Sequence, residues 1–197
     1  MNFFTADPHF SKASNNVLRR PFSNAWEMSE FLLDKINAKV KRNDTLTIVG
    51  DFAFTLADVR FFRQQIKCKN TNIIIGNHNI SKIRLESVFG KHNVRIIWDT
   101  KCKDRPFFLS HYCHAYWPKS HYGSFHGYGH THDMRESTMD DLFPGRRSMD
   151  LGLDTAKRLL GEYEPFSEDE IYELLIGRPG HDQVEFYIET VGAYNKC

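Results

Sequence analysis

The sequence predicts an α/β fold in one domain spanning residues 1–197, and three observations predict it. Short apolar or β-branched runs alternate with stretches whose apolar residues recur at helical spacing, in the order strand, helix, strand, helix, strand. Several of these runs stop at glycine or histidine, followed by side chains of metal-ligand type, as happens where a sheet presents a site at its strand ends. Length and composition agree: 197 residues, 41% hydrophobic and 26% charged, suit one hydrophobic core, and no linker, repeat or low-complexity tract divides the chain.

Taken in order, Asn2 to Thr5 is a short buried strand that breaks at Asp7-Pro8, because proline cannot donate to a sheet ladder. Residues 24 to 40 place Trp26, Phe31, Leu32, Ile36 and Val40 at helical spacing, with Asn24 and Glu27 as a capping pair. Thr45 to Val49 is a β-branched run that stops at Gly50-Asp51. A helix is expected over Leu56 to Lys67, then a strand over Asn72 to Ile75 that stops at Gly76-Asn77-His78, then a helix over Ser81 to Phe89. Strands are expected over Val94 to Trp98 and Pro106 to Leu109, the second ending at Ser110-His111. From His111 to Gly129 the chain reads as loop and short strand, with Gly123 to Tyr128 leading into Gly129-His130-Thr131-His132. Asp133 to Arg147 is expected as a polar surface loop and Ser148 to Leu153 as a strand. Ser167 caps a C-terminal helix with Glu170 three residues on, and Val184 to Val191 alternates like an edge strand.

Composition narrows the function classes. A formal net charge of +1 gives no sign of binding to polymeric nucleic acid, and pairs such as Arg19-Arg20 and Arg146-Arg147 read as solvated surface. The cysteines Cys68, Cys102, Cys113 and Cys197 form no C-x-x-C pair, so they are expected as reduced thiols rather than a zinc knuckle. The N-terminus has no basic and apolar leader, and no window has the length and apolarity of a membrane span; a cytoplasmic protein without a membrane partner is expected. Ten histidines are abundant, and seven of them lie between His92 and His132.

Five clusters carry the chemistry: Asp7-Pro8-His9, Gly50-Asp51, Gly76-Asn77-His78, Ser110-His111 and Gly129-His130-Thr131-His132. One-residue spacing turns both members of Asp7/His9, and of His130/His132, to the same side of an extended segment. Glycine before a ligand lets the backbone come close to an ion or a phosphate. Mixed carboxylate, imidazole and amide oxygen donors suit manganese, iron or zinc better than calcium or magnesium.

The ordered set D-x-H, G-D, G-N-H, H and G-H-x-H resembles the signature of calcineurin-like metallophosphoesterases, over Asp7 to about Leu153, and the stretch Gly161 to Ile176 is similar to small bacterial and phage members. The resemblance implies two packed β-sheets flanked by helices, with a dimetal site at one sheet edge. It implies two divalent ions (manganese as the first expectation, with iron, zinc or nickel). Asp7, His9 and His132 would hold the first, Asn77, His111 and His130 the second, with Asp51 bridging. It further implies hydrolysis of a phosphodiester or phosphomonoester of a small molecule or nucleotide, by attack of a metal-bridging hydroxide, with His78 assisting the leaving oxygen. Two departures stand out. Phe54 occupies the place of a second aspartate, and Asn79 follows His78 where an acid is usual, which sets the chain apart from protein phosphatases.

Trp117 and His121 are the candidates for contact with the substrate, with His114 and His126 beside them; packing of an aromatic loop is the competing role. Arg20 and Arg146 are expected at the surface, with a phosphate clamp as the alternative. Phe52 and Phe54 are expected to lie buried beneath the site, and Phe31, Phe61 and Phe62 to pack helices. Two other functions compete: a nuclease acting on polymeric nucleic acid, and a non-catalytic metal-binding scaffold.

Overall fold

The computed structural model describes residues 1–11 and 20–180. Two sheets stack face to face. Strands β1 (Asn2–Ala6), β2 (Thr45–Gly50), β3 (Asn70–Ile75), β4 (Val94–Arg95) and β9 (Phe166–Ser167) form the first, in the order β4-β3-β2-β1-β9; β1 to β4 run parallel and β9 is antiparallel to β1. Strands β5 (Ile97–Cys102), β6 (Arg105–Ser110), β7 (Phe125–Tyr128) and β8 (Ser148–Asp150) form the second, in that order, with β5 antiparallel to β6 and the others parallel.

Alternation along the strands separates two cores. Phe3, Leu46, Ile48 and Ile73 face helices α1 (Ala25–Lys39), α2 (Leu56–Gln65) and α3 (Lys82–Phe89), which contribute Met28, Leu32, Ile36, Val59, Phe62 and Leu85. Their neighbours Phe4, Val49 and Ile74 face the second sheet and meet Phe107, Leu109, Phe125 and Met149. Strands buried on both faces read as continuous apolar runs, which is why β2 and β3 stand out in the sequence.

Asn24 caps α1 by accepting from the Glu27 N–H at 2.9 Å, whereas the Glu27 carboxylate turns to Ser23 instead of closing a box on Asn24. The box expected at Ser167 and Glu170 is complete and opens helix α6 (Glu168–Ile176).

Four expectations need correction. Val94 to Trp98 is not one strand: the chain leaves the first sheet after Arg95 and enters the second at Ile97. Asp133 to Arg147 is not a surface loop. It contains helix α4 (Glu136–Leu142), and Glu136 and Arg146 are buried on the outer face of the second sheet, where Arg146 reaches Tyr128, Ser148 and Asp140. Arg146 is therefore neither a surface residue nor a phosphate clamp. The strand at Ser148 ends at Asp150, and Leu153 begins helix α5 (Leu153–Leu160).

Among the described residues β8 is the last strand of its sheet, and its outward edge is covered by side chains. Arg178 donates to the carbonyls of Arg146 and Ser148 at 3.2 and 3.0 Å, and Glu136 accepts from the Asp150 N–H at 3.2 Å. Cys68, Cys102 and Cys113 are free thiols. No helix among the described residues is long and apolar enough to cross a membrane. Arg19, His181, the strand expected over Val184 to Val191 and Cys197 lie outside the described residues.

Candidate metal centre

Strands β1, β2 and β3 end, with β6 and β7, at one edge of the two stacked sheets, and the five polar clusters follow those ends. The exits run side by side. Past β1, His9 N–H donates to Asp51 O at 3.0 Å and Phe10 N–H to Phe52 O at 2.8 Å; past β7, Gly129 N–H donates to His111 O at 3.0 Å.

Asp7 stitches the two sheets together. Its Oδ1 accepts from the Asp51 N–H at 2.7 Å, and its Oδ2 accepts from the His130 N–H. The glycines make room for these carboxylates. A Cβ at Gly50 would land on Asp7 Oδ1 and His111 Nδ1, one at Gly76 on Asp51 Oδ1, and one at Gly129 on Asp7 Oδ2. Close approach is thus the reason for all three, and Gly50 (φ 96°) also needs glycine's backbone freedom.

The paired spacings work differently from the extended segment expected. Asp7 (φ 49°), His9 (51°), His130 (70°) and His132 (47°) all occupy the left-handed region. Each such residue costs about 1–3 kcal/mol and is retained where its surroundings dictate the conformation. Thr131, between the two histidines, is tied down through its hydroxyl to Asp150 Oδ2 at 2.5 Å.

The seven expected ligands converge. His9 Nε2 lies 3.2 Å from His132 Nε2. Asp51 Oδ2 lies 3.7 Å from His9 Nε2 and 3.9 Å from His111 Nε2, midway between the two groups of imidazoles. His111 Nε2 is 2.8 Å from Asn77 Oδ1, and the His111 and His130 rings are 4.9 Å apart. One ligand atom each from Asp7, His9 and Asp51 falls within 4.8 Å of the others, and this buried triad could hold a metal ion.

The donor set fits such an ion. Two imidazole nitrogens each about 2.1 Å from one cation stand roughly 3.0–3.4 Å apart at octahedral or tetrahedral angles, and the His9–His132 pair has that spacing. His111 Nδ1 is buried, with no hydrogen-bond partner among the described residues, 3.6 Å from Asp7 Oδ1. Burial pushes the Asp7 carboxyl up to about 7, helped by the neighbouring Asp51 charge, and also raises Asp51. Burial and the surrounding histidines push His111 down to about 3 and lower His130. A cation placed among these groups reverses that cost, because it favours charged carboxylates and neutral imidazoles. For His132, burial works downward, but the hydrogen bond to Asp154 and the charge of Asp7 outweigh it and raise the group.

His78 is exposed at the mouth, its ring 6.0 Å from that of His9, while its main-chain N–H donates to Asp51 Oδ1 at 2.8 Å. Phe54 is not beneath the site. It is half-buried, stacks on His9 at 5.8 Å and stands 5.6 Å from His78, so it walls one side. Tyr112, half exposed, packs on His111 and His130 and walls the other. Asn79 does not orient the imidazole of His78; its amide accepts from Phe52 N–H at 2.9 Å and donates to Gly50 O at 2.7 Å, tying two turns together.

Trp117 and His121 sit elsewhere in the loop. The Trp117 indole is buried against His126 and donates to Ser124 O at 3.2 Å, and His121, exposed in a single 3-10 turn over Ser120–Tyr122, lies tilted against Tyr122. His126 is buried in the sheet's outer face rather than solvated or lining a pocket. Two residues that sequence reasoning missed in this role complete the surroundings: Asp154, at the start of α5, accepts from His132 Nδ1 at 3.1 Å, and Arg20 is buried against Asp154 rather than exposed.

Among solved structures, a protein of unknown function from Aquifex aeolicus is similar, with a TM-score of 0.69 and 22% sequence identity over 88% of this chain and 98% of that one. At this identity the likeness establishes a shared architecture of two sheets flanked by helices. No protein-family model matches the chain, and no curated protein matches it.

Proposed function

We propose that the chain is a metal-dependent phosphoesterase of the calcineurin-like type, hydrolysing a phosphate ester of a small molecule or nucleotide. The observation that carries this reading is the position of one carboxylate oxygen. Asp51 Oδ2 stands 3.7 Å from His9 and 3.9 Å from His111, where a bridging ligand between two ions belongs, and the His9–His132 spacing of 3.2 Å suits shared coordination. The motif order in the sequence supports it independently.

In this reading Asp7, His9 and His132 would hold one ion, Asn77, His111 and His130 the other, and Asp51 would serve both. Such a pair of ions, when bound, would supply a water of lowered pKa and neutralise charge on the phosphoryl oxygens. The protein's own part is to hold the donors rigid at the sheet edge and to offer an acid. What supports His78 in that role is its exposure, its contact with Phe54 and its position outside the proposed ligand set. Its proton goes to the departing ester oxygen. Phe54 and Tyr112 narrow the approach from both sides.

The test is turnover of bis-p-nitrophenyl phosphate and p-nitrophenyl phosphate with and without manganese, in the wild type and in Asp51→Asn. Manganese-dependent hydrolysis that Asp51→Asn abolishes is the expected result. No turnover of either ester with manganese, iron, zinc or nickel overturns the reading and leaves the scaffold. Polynucleotide cleaved faster than both small esters would replace it with the nuclease.

A further inference from the structure

Arg20 and Asp154 form a buried link that the seven ligands do not account for. The Arg20 guanidinium grips Asp154 with both arms of its fork, Nε to Oδ1 at 2.9 Å and Nη2 to Oδ2 at 2.7 Å. The same group donates Nη1 to Pro8 O at 3.1 Å and Nη2 to Asp7 O at 3.0 Å. The same Asp154 Oδ2 also accepts from His132 Nδ1 at 3.1 Å. One continuous chain of hydrogen bonds thus runs from the main chain of the Asp7-Pro8-His9 turn, through Arg20 and Asp154, to the His132 imidazole.

Burying an arginine that is 4% exposed is costly unless its donors are satisfied, and here they close on two carbonyls and a carboxylate. Each end of the link is a strained position. Asp7, His9 and His132 hold left-handed backbone, and the link clamps the carbonyl of Asp7 at one end and the ring of His132 at the other. Because a carboxylate can only accept, His132 must carry its hydrogen on Nδ1, which leaves the Nε2 lone pair directed at His9.

We propose that Arg20 and Asp154 are positioning residues for the first ion: they set the tautomer and angle of His132 and lock it to the turn that carries Asp7 and His9. The proposal rests on the reading of the cluster as a metal centre. Lysine cannot substitute for Arg20, since it lacks the planar fork that serves carboxylate and carbonyls together.

Manganese binding to the intact chain, followed by calorimetry and by the electron paramagnetic resonance of the bound ion, tests this without an activity assay. The wild type is expected to take up two ions per chain with a spin-coupled spectrum. Asp154→Asn is expected to melt cooperatively with unchanged far-ultraviolet circular dichroism, yet to bind one of the two ions 10–100-fold more weakly, with the spectrum of an isolated ion at intermediate loading. Asp154→Glu should restore part of the affinity, and Arg20→Lys should behave like Arg20→Gln, both weakened at the same ion. Wild-type affinity for both ions in Asp154→Asn and Arg20→Gln overturns the proposal, as does an equal loss at both ions that tracks lost helix content. A wild type that binds no manganese at saturating ion sinks the metal-centre reading itself.

Discussion

Asp51 follows Gly50 and His78 follows Asn77, and in the proposed reading their different environments suit them to opposite work. Asp51 is 3% exposed and lies between two sets of imidazoles, while His78 is exposed and touches the cluster through its backbone N–H. Replacing His78 with alanine should leave manganese affinity intact and slow hydrolysis by about 10²–10⁴-fold, with the larger loss for esters of poor leaving groups. Rates measured across substituted phenyl esters, alongside ion titration, check both halves of that statement; loss of an ion in His78→Ala would show that the imidazole is a ligand.

Helix α6 begins at a complete capping box, in which Ser167 Oγ accepts from the Glu170 N–H at 3.2 Å and Glu170 Oε2 accepts from the Ser167 N–H at 2.7 Å. Ser167→Ala should lower stability by about 1 kcal/mol, read as a shift in the urea midpoint at constant slope. Elements of this kind were legible in the sequence because their signals are local: a box at fixed spacing, β-branched runs ending in glycine, and ligand types directly after them. α4 and α5 were not, since neither has a side-chain cap at its start and both are short. The split between β4 and β5 was hidden as well, because the apolar run from Val94 to Trp98 gives no local mark of the change of sheet. Arg20 and Asp154 are 134 positions apart, and no spacing rule connects residues that only the closing of the fold brings together. The candidate ligands were readable because they follow the ends of five strands, β1, β2, β3, β6 and β7; the residues that brace them follow from tertiary packing.

The whole molecule carries a pH dependence that comes from outside the candidate centre. His126, on the outer face of the second sheet, donates from Nδ1 to Phe108 O at 3.0 Å and accepts at Nε2 from the His114 N–H at 3.1 Å, an arrangement open only to the neutral ring. Burial pushes it down to about 3 from its ordinary 6.5, with the nearby His114 and Arg146 charges adding to the fall. Between those values the unfolded chain binds a proton that the folded chain refuses. Stability from this group is therefore full above about pH 6.5 and drains away as the pH falls toward 3. At pH 4 the loss is on the order of 3 kcal/mol. Urea midpoints from pH 7 to pH 4 should fall more steeply in the wild type than in His126→Gln, and parallel curves would show that His126 titrates normally.

The Arg178 guanidinium has a consequence for behaviour in concentrated solution. By engaging the two main-chain oxygens beside β8, it denies them to any strand arriving from another molecule. Arg178→Ala strips that seal while leaving the interior untouched, so copies of the protein gain a place to zip together. The apparent molar mass from light scattering should then rise with protein concentration in the variant and stay flat in the parent.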